Sequence, residues 1–88
     1  MQVLFTNQFL KQIRKVKDKH LAKRIESAIL DVKNATELSG ISQLKDLKGY
    51  NNVYRIRIGD CRIGLHVRGN VVEFACFMDR SEIYRYLP

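Results

Sequence analysis

The 88-residue sequence has a single proline, Pro88, so nothing inside the chain marks a linker or breaks a helix by that route. It has no tryptophan and only two cysteines, too few for a scaffold built on disulfides. No Cys/His cluster has metal-ligand spacing, so neither a metal site nor a cofactor is expected. No apolar run approaches the length that spans a bilayer. The opening residues, Met1 to Asn7, turn polar too soon for a signal peptide, so a cytoplasmic protein without membrane contact is expected. Acidic residues are scarce. Nine stand against sixteen Lys and Arg, giving a net charge of +7. Such a surplus favours nucleic acid, an anionic surface or an acidic protein as partner, without choosing among them.

What is present is an ordinary globular balance, 45% hydrophobic and 28% charged. A single domain over residues 1–88 is expected, large enough for a core but with a modest stability margin. The chain is organised around Val53 to Arg62. Tyr54, Ile56 and Ile58 alternate with Arg55 and Arg57, the period of a half-buried strand. Gly59-Asp60 is a two-residue hairpin turn, and Gly69-Asn70 is a second. Folding at the first turn sets Ile58 opposite Cys61, Arg57 opposite Arg62, Ile56 opposite Ile63 and Arg55 opposite Gly64. Folding at the second sets Val67 opposite Val72, His66 opposite Glu73, Leu65 opposite Phe74, Gly64 opposite Ala75, Ile63 opposite Cys76 and Arg62 opposite Phe77. Both turns bury the same face, which specifies the register of a three-strand meander. Cys61 and Cys76 then fall on the inward face as packing residues.

The other face of the meander carries arginines. Residues 50–88 hold six Arg and no Lys, whereas residues 1–49 hold eight Lys and two Arg. Arg57 and Arg62, directly across from one another, repel, and Gly64 keeps the floor beside them low. A solvated sheet face is the plain explanation for any one arginine. The crowded pair instead suits an anion, because guanidinium forks match phosphate oxygens.

The N-terminal half reads as a short strand and a helical hairpin. Val3-Leu4-Phe5 is apolar, and Thr6 or Asn7 can cap a helix carrying Phe9, Ile13 and Val16 on one face. Asp18 can cap a second, with Leu21, Ile25, Ala28, Ile29 and Val32 inward. The Lys and Arg residues on their outer sides form a solvated face or a secondary phosphate-contact surface. Asn34-Ala-Thr36 ends the hairpin. Leu38, Ile41, Leu44 and Leu47 anchor the next segment, with a short strand beginning at Leu44. After the meander, Ser81 can cap a short C-terminal helix bearing Tyr84, which brings Arg80 and Tyr84 toward the Arg57–Arg62 pair. The fold expected is α+β: an N-terminal strand and helical hairpin on a mainly antiparallel twisted sheet, closed by a short C-terminal helix.

Leu47-Lys-Gly49, the run Tyr54-Arg-Ile-Arg-Ile-Gly-Asp-Cys-Arg62, and Asp79-Arg-Ser-Glu-Ile-Tyr84 together resemble the RelE/ParE superfamily of type II toxin–antitoxin toxins. The order of elements agrees, and the likeness covers nearly the whole chain. It implies a toxin neutralised by a cognate antitoxin, with operator DNA reached only through that antitoxin. RelE-like members cleave messenger RNA on the ribosome without a metal; ParE-like members poison DNA gyrase instead. By position, Arg55 and Arg57 match the family's paired strand cations, Arg62 its second-strand arginine, Arg80 a C-terminal arginine and Tyr84 the C-terminal tyrosine. Met78 stands where the founding RelE type has a basic residue, and Asp79 where many relatives have histidine.

The resemblance implies a candidate catalytic set of Arg57, Arg62, Arg80 and Tyr84; Lys45, Lys48, Arg55 and, from its register opposite Arg62, Phe77 are the candidate substrate contacts. Arginines can grip the phosphate and meet the charge developing on it. They cannot serve as the base, because guanidinium stays protonated. That role falls to Tyr84, His66, Asp79 or Glu82. Phe77 either stacks a splayed base or packs beneath the C-terminal segment. The leading expectation is a ribosome-dependent endoribonuclease acting on mRNA. The alternatives are a non-enzymatic gyrase inhibitor and an inactive relative that survives as an antitoxin-binding module.

Overall fold

Thr6 and Asp18 start the two helices. The computed structural model, which describes residues 1–47 and 49–82, has strand β1 at Gln2–Phe5 and helix α1 at Asn7–Arg14. The Thr6 hydroxyl accepts from the Phe9 N–H at 3.0 Å and so satisfies one of the amides a helix start leaves over. Helix α2 spans Lys19–Asn34, and the Asp18 carboxylate accepts from the His20 and Leu21 N–H groups at 2.8 and 3.2 Å. It ends at Ala35, whose backbone is extended. The helices bury Phe9, Ile25 and Val32 against the sheet.

Strands β2 (Leu44–Asp46), β3 (Val53–Ile58), β4 (Cys61–Arg68) and β5 (Val71–Asp79) complete a five-stranded sheet in the order β1-β5-β4-β3-β2. Only β1 against β5 is parallel. The β3–β4 register is the expected one, with Arg57 opposite Arg62 and Arg55 opposite Gly64. The inner face carries Ile56, Ile58, Ile63, Leu65, Val67, Val72 and Phe74, all in one core cluster with the helices. Exposed Phe5 stacks on buried Phe9 and both tilt against buried Phe74, with ring centroids 5.3 to 5.9 Å apart. The expected C-terminal helix lies outside the described residues.

The second turn departs from expectation halfway along β5. Val67 meets Val72, His66 meets Glu73 and Leu65 meets Phe74, but Gly64 pairs with Cys76 rather than Ala75. Ala75 is the extra residue of a β-bulge, and every partner beyond it moves by one. Ile63 therefore faces Phe77, and Arg62 faces Met78. Because the side-chain period is two, this slip exchanges faces. Phe77 enters the main core, 7% exposed. Cys76 leaves it for a small cluster on the outer face with Leu47, Val53 and Met78. The two cysteines thus lie on opposite faces, and both are free thiols. Burial pushes the Cys76 thiol up to about 11.

The cause of the bulge lies at the other end of the chain. β1 is only four residues long, so β5 has no strand neighbour on that side after Phe74. Helix α1 takes over that edge. Thr6 Oγ1 donates to the Ala75 carbonyl at 2.7 Å, and the Gln12 side-chain oxygen accepts from the Phe77 N–H at 2.7 Å. Backbone groups that β1 no longer reaches are satisfied by side chains, as buried polar groups require.

Candidate functional site

The outer face is read most easily in rows across the strands. One row runs Arg57, Arg62, Met78; the next runs Lys45, Arg55, Gly64, Cys76; a third sets Val53, His66 and Glu73 side by side. The first row adjoins the β3–β4 turn. There Gly59 takes a φ of 59°, open to glycine without steric cost. The chain leaving β5 returns to the same turn, where the Arg80 N–H donates to the Asp60 carbonyl at 3.0 Å. Arg57, Arg62 and Arg80 are therefore gathered at one end of the sheet. Lys45 and Arg55 sit one row in.

Arg62 is braced as well as charged. Its Nη1 donates to the Gly59 carbonyl at 3.0 Å and to the Cys61 carbonyl at 2.9 Å, so the guanidinium folds back over the turn. Arg57 is exposed, while Arg55 and Arg62 are half-buried. The site also holds acids. Asp79 Oδ1 accepts from both the Ser81 N–H and the Ser81 hydroxyl at 2.9 Å. Those bonds, followed by the charges of Arg80 and Arg62, hold its carboxyl below the ordinary carboxylate range. A carboxylate so stabilised is a weak base. Burial, then Asp79 and Asp60, raise the Cys61 thiol, which argues against a thiolate nucleophile.

Of the other candidate bases, His66 lies four residues along β4 from Arg62, about 13 Å at the usual strand rise. It pairs with Glu73 and borders a separate hollow with Leu4, Arg68 and Val71. Glu82 is exposed in the turn after β5, its N–H donating to the Asp79 carbonyl. Tyr84 and Lys48 lie outside the described residues. Phe77 is withdrawn from the site: the bulge places it in the core, where it cannot stack on a base. Its place opposite Arg62 is taken by Met78, a residue with no charge to give. Among the described residues no three His, Cys, Asp or Glu side chains group as metal ligands.

The family described as the ParE toxin of the type II toxin–antitoxin system parDE matches residues 3–84. This chain belongs to the RelE/ParE superfamily of toxins. Toxin RelE3 of Methanocaldococcus jannaschii is 39% identical to it over 89 residues, with both chains covered in full. The RelB–RelE antitoxin–toxin complex from Methanococcus jannaschii superposes with a TM-score of 0.78 at 38% identity, covering 97% of this chain and 99% of that one. The isolated E. coli RelE toxin, at 19% identity and a TM-score of 0.69, covers 96% of this chain and 90% of its own and shows the shared fold. No helix among the toxin's described residues is long and apolar enough to cross a membrane.

Proposed function

We propose that this toxin is a ribosome-dependent endoribonuclease that cuts messenger RNA in the cytoplasm and so stops translation. The observation that carries the reading is the pairing of Arg57 with Arg62 beside the turn that also holds Arg80. In the reaction, the ribose 2′-oxygen attacks the adjacent phosphorus and the 5′-oxygen of the next nucleotide leaves, giving a 2′,3′-cyclic phosphate and a 5′-hydroxyl. Arg57 and Arg62 hold the non-bridging oxygens and stabilise the charge that builds on them. Losing one such donor typically costs about 10²–10³ in rate. Arg80, tied by its backbone to the same turn, adds a third cation, and Lys45 and Arg55 hold the strand one row in. Tyr84, the tyrosine that the family resemblance carries over, serves as the base that takes the 2′-hydroxyl proton, and solvent returns a proton to the leaving 5′-oxygen.

The partner is a cognate antitoxin, as in the RelB–RelE complex of the Methanococcus jannaschii relative. A toxin of net charge +7 suits an acidic, partly apolar segment that folds as it binds. A largely apolar groove of about 320 Å³, lined by Ile13, Val16, Ile25, Ile29 and Leu30 with Glu26 as its one acid, offers seats for its apolar side chains. Lys11 and Arg14 on α1, Lys15 at its C-cap and Lys23 on α2 supply the complementary charge.

A second reading, inhibition of DNA gyrase, is favoured by the ParE family match and by Met78 opposite Arg62. Pulse labelling after induction without antitoxin separates the two. The nuclease reading expects protein synthesis to fail first, with new transcript 5′ ends inside open reading frames. DNA synthesis failing first, with transcripts intact, would establish the gyrase reading.

A further inference from the structure

Beside the arginine end of the sheet, α2 passes the open edge of β3. Strand β2 starts at Leu44, opposite Ile56, so on that edge β3 has no strand neighbour at Arg57. The Arg57 N–H goes instead to the Gln43 carbonyl at 3.3 Å. Gln43 reaches that position with a φ of 63°, a left-handed conformation that residues with a side chain rarely adopt. The result is a cleft of about 280 Å³ lined by Arg24, Gln43, Arg57 and Gly59. It adjoins a smaller hollow of about 150 Å³ whose walls include Ser27, Asp31 and Ser42. Arg24 Nη1 comes within 3.2 Å of the position a Cβ on Gly59 would take, so a bare residue at the turn is what admits the guanidinium.

Two cations therefore border one cleft; Arg24, Gln43 and Arg57 also line the adjoining hollow, where Asp31 is the one acid on the wall. Among the described residues the guanidinium groups of Arg24 and Arg57 have neither a hydrogen-bond nor an ion-pair partner. Two cations against a single acid leave a net positive charge at this edge, which opposes folding. A bound anion would remove that cost and use both forks at once.

We propose that Arg24, Gln43 and Arg57 form a second phosphate subsite, which takes a backbone phosphate of the RNA strand flanking the one held at Arg62. This rests on the RNA-cleaving reading given above. Arg57 belongs to both places, so a strand gripped at Arg62 passes directly over the Gly59 turn into the cleft. The Gln43 amide donates to a phosphate oxygen or a ribose hydroxyl there. Arg24 is thereby a binding residue on α2, outside the strands that carry the other candidates.

The test is ribosome-free. Binding of a short single-stranded RNA to the full-length toxin is followed by fluorescence anisotropy across a salt series. Removing one phosphate contact should reduce the slope of log K against log salt by about 0.7. R24Q is expected to show that reduction. K33Q, which removes the same charge from the far end of α2, should leave the slope unchanged. R24K should keep the slope but bind less tightly, because a point charge cannot fork. Arg24 is exposed, so the variants are expected to melt as the parent does. The subsite is refuted if R24Q behaves like K33Q, or if R24Q leaves RNA binding intact while weakening the antitoxin complex, which would make the cleft a seat for an acidic side chain. Absence of ribosome-dependent cleavage alongside the expected slope change would remove the nuclease reading and keep the subsite.

Discussion

The hydroxyl of Thr6 donates to the carbonyl of Ala75 across 2.7 Å and 69 positions of sequence. The same oxygen accepts from the Phe9 N–H, so one side chain caps α1 and pins the bulge in β5. Replacing Thr6 by Ala should cost about 2 kcal/mol, combining a missing cap of about 1 with an orphaned carbonyl of about 1. Thr6→Ser should keep most of the stability. Urea melts of the two variants check this; equal destabilisation in both would mean that the hydroxyl has no part in it.

Phe77 separates a core role from a base-stacking role. Buried beside Ile63, it should cost about 3–5 kcal/mol on truncation to Ala. A stacking residue on an open face would cost little stability and lose activity alone. Denaturant unfolding of Phe77→Ala distinguishes them.

The thiols give a pH prediction. Cys76, at about 11 in the folded protein against 9.0 as its ordinary value, loses its proton more readily when unfolded. Stability from this group is therefore complete below pH 9 and falls as the pH rises from 9 toward 11. Replacement by Ser or Ala should flatten the alkaline limb of the stability profile. Native-state labelling of Cys76 by iodoacetamide near pH ~8 should likewise be far slower than labelling of the unfolded chain.

Much of the fold was legible because local signals agreed. Thr6 and Asp18 marked both helix starts, and the Gly59-Asp60 turn fixed the Arg57–Arg62 pair. The outer half of β5 was not legible. Its bulge depends on Thr6 and Gln12, more than sixty positions away, and on the shortness of β1. No alternation pattern within residues 71–79 encodes those interactions. The error reached the candidate site through the same slip, which exchanged Phe77 for Met78 opposite Arg62. Arg24 escaped notice for a similar reason: on α2 it reads as one more solvated cation among Lys19, Lys23 and Lys33. Only the packing of α2 on the β3 edge sets it against Gly59.

Arg62 is braced by its own turn, so its removal has two opposed effects on folding. The variant Arg62→Ala loses hydrogen bonds to the Gly59 and Cys61 carbonyls and relieves repulsion with Arg57. A hydrogen bond at a partly exposed site is worth about 1 kcal/mol, and the cross-strand repulsion is of similar size. Thermal melts should therefore differ little from the parent.

Cleavage of a messenger RNA bound to purified ribosomes, by the parent toxin and by Arg62→Ala at equal folded concentration, bears directly on the nuclease reading. Cuts by the parent are expected only when ribosomes are present, with a fall of about 10²-fold or more in the variant. Full cleavage by Arg62→Ala, or no ribosome-dependent cleavage by the parent, would overturn that reading.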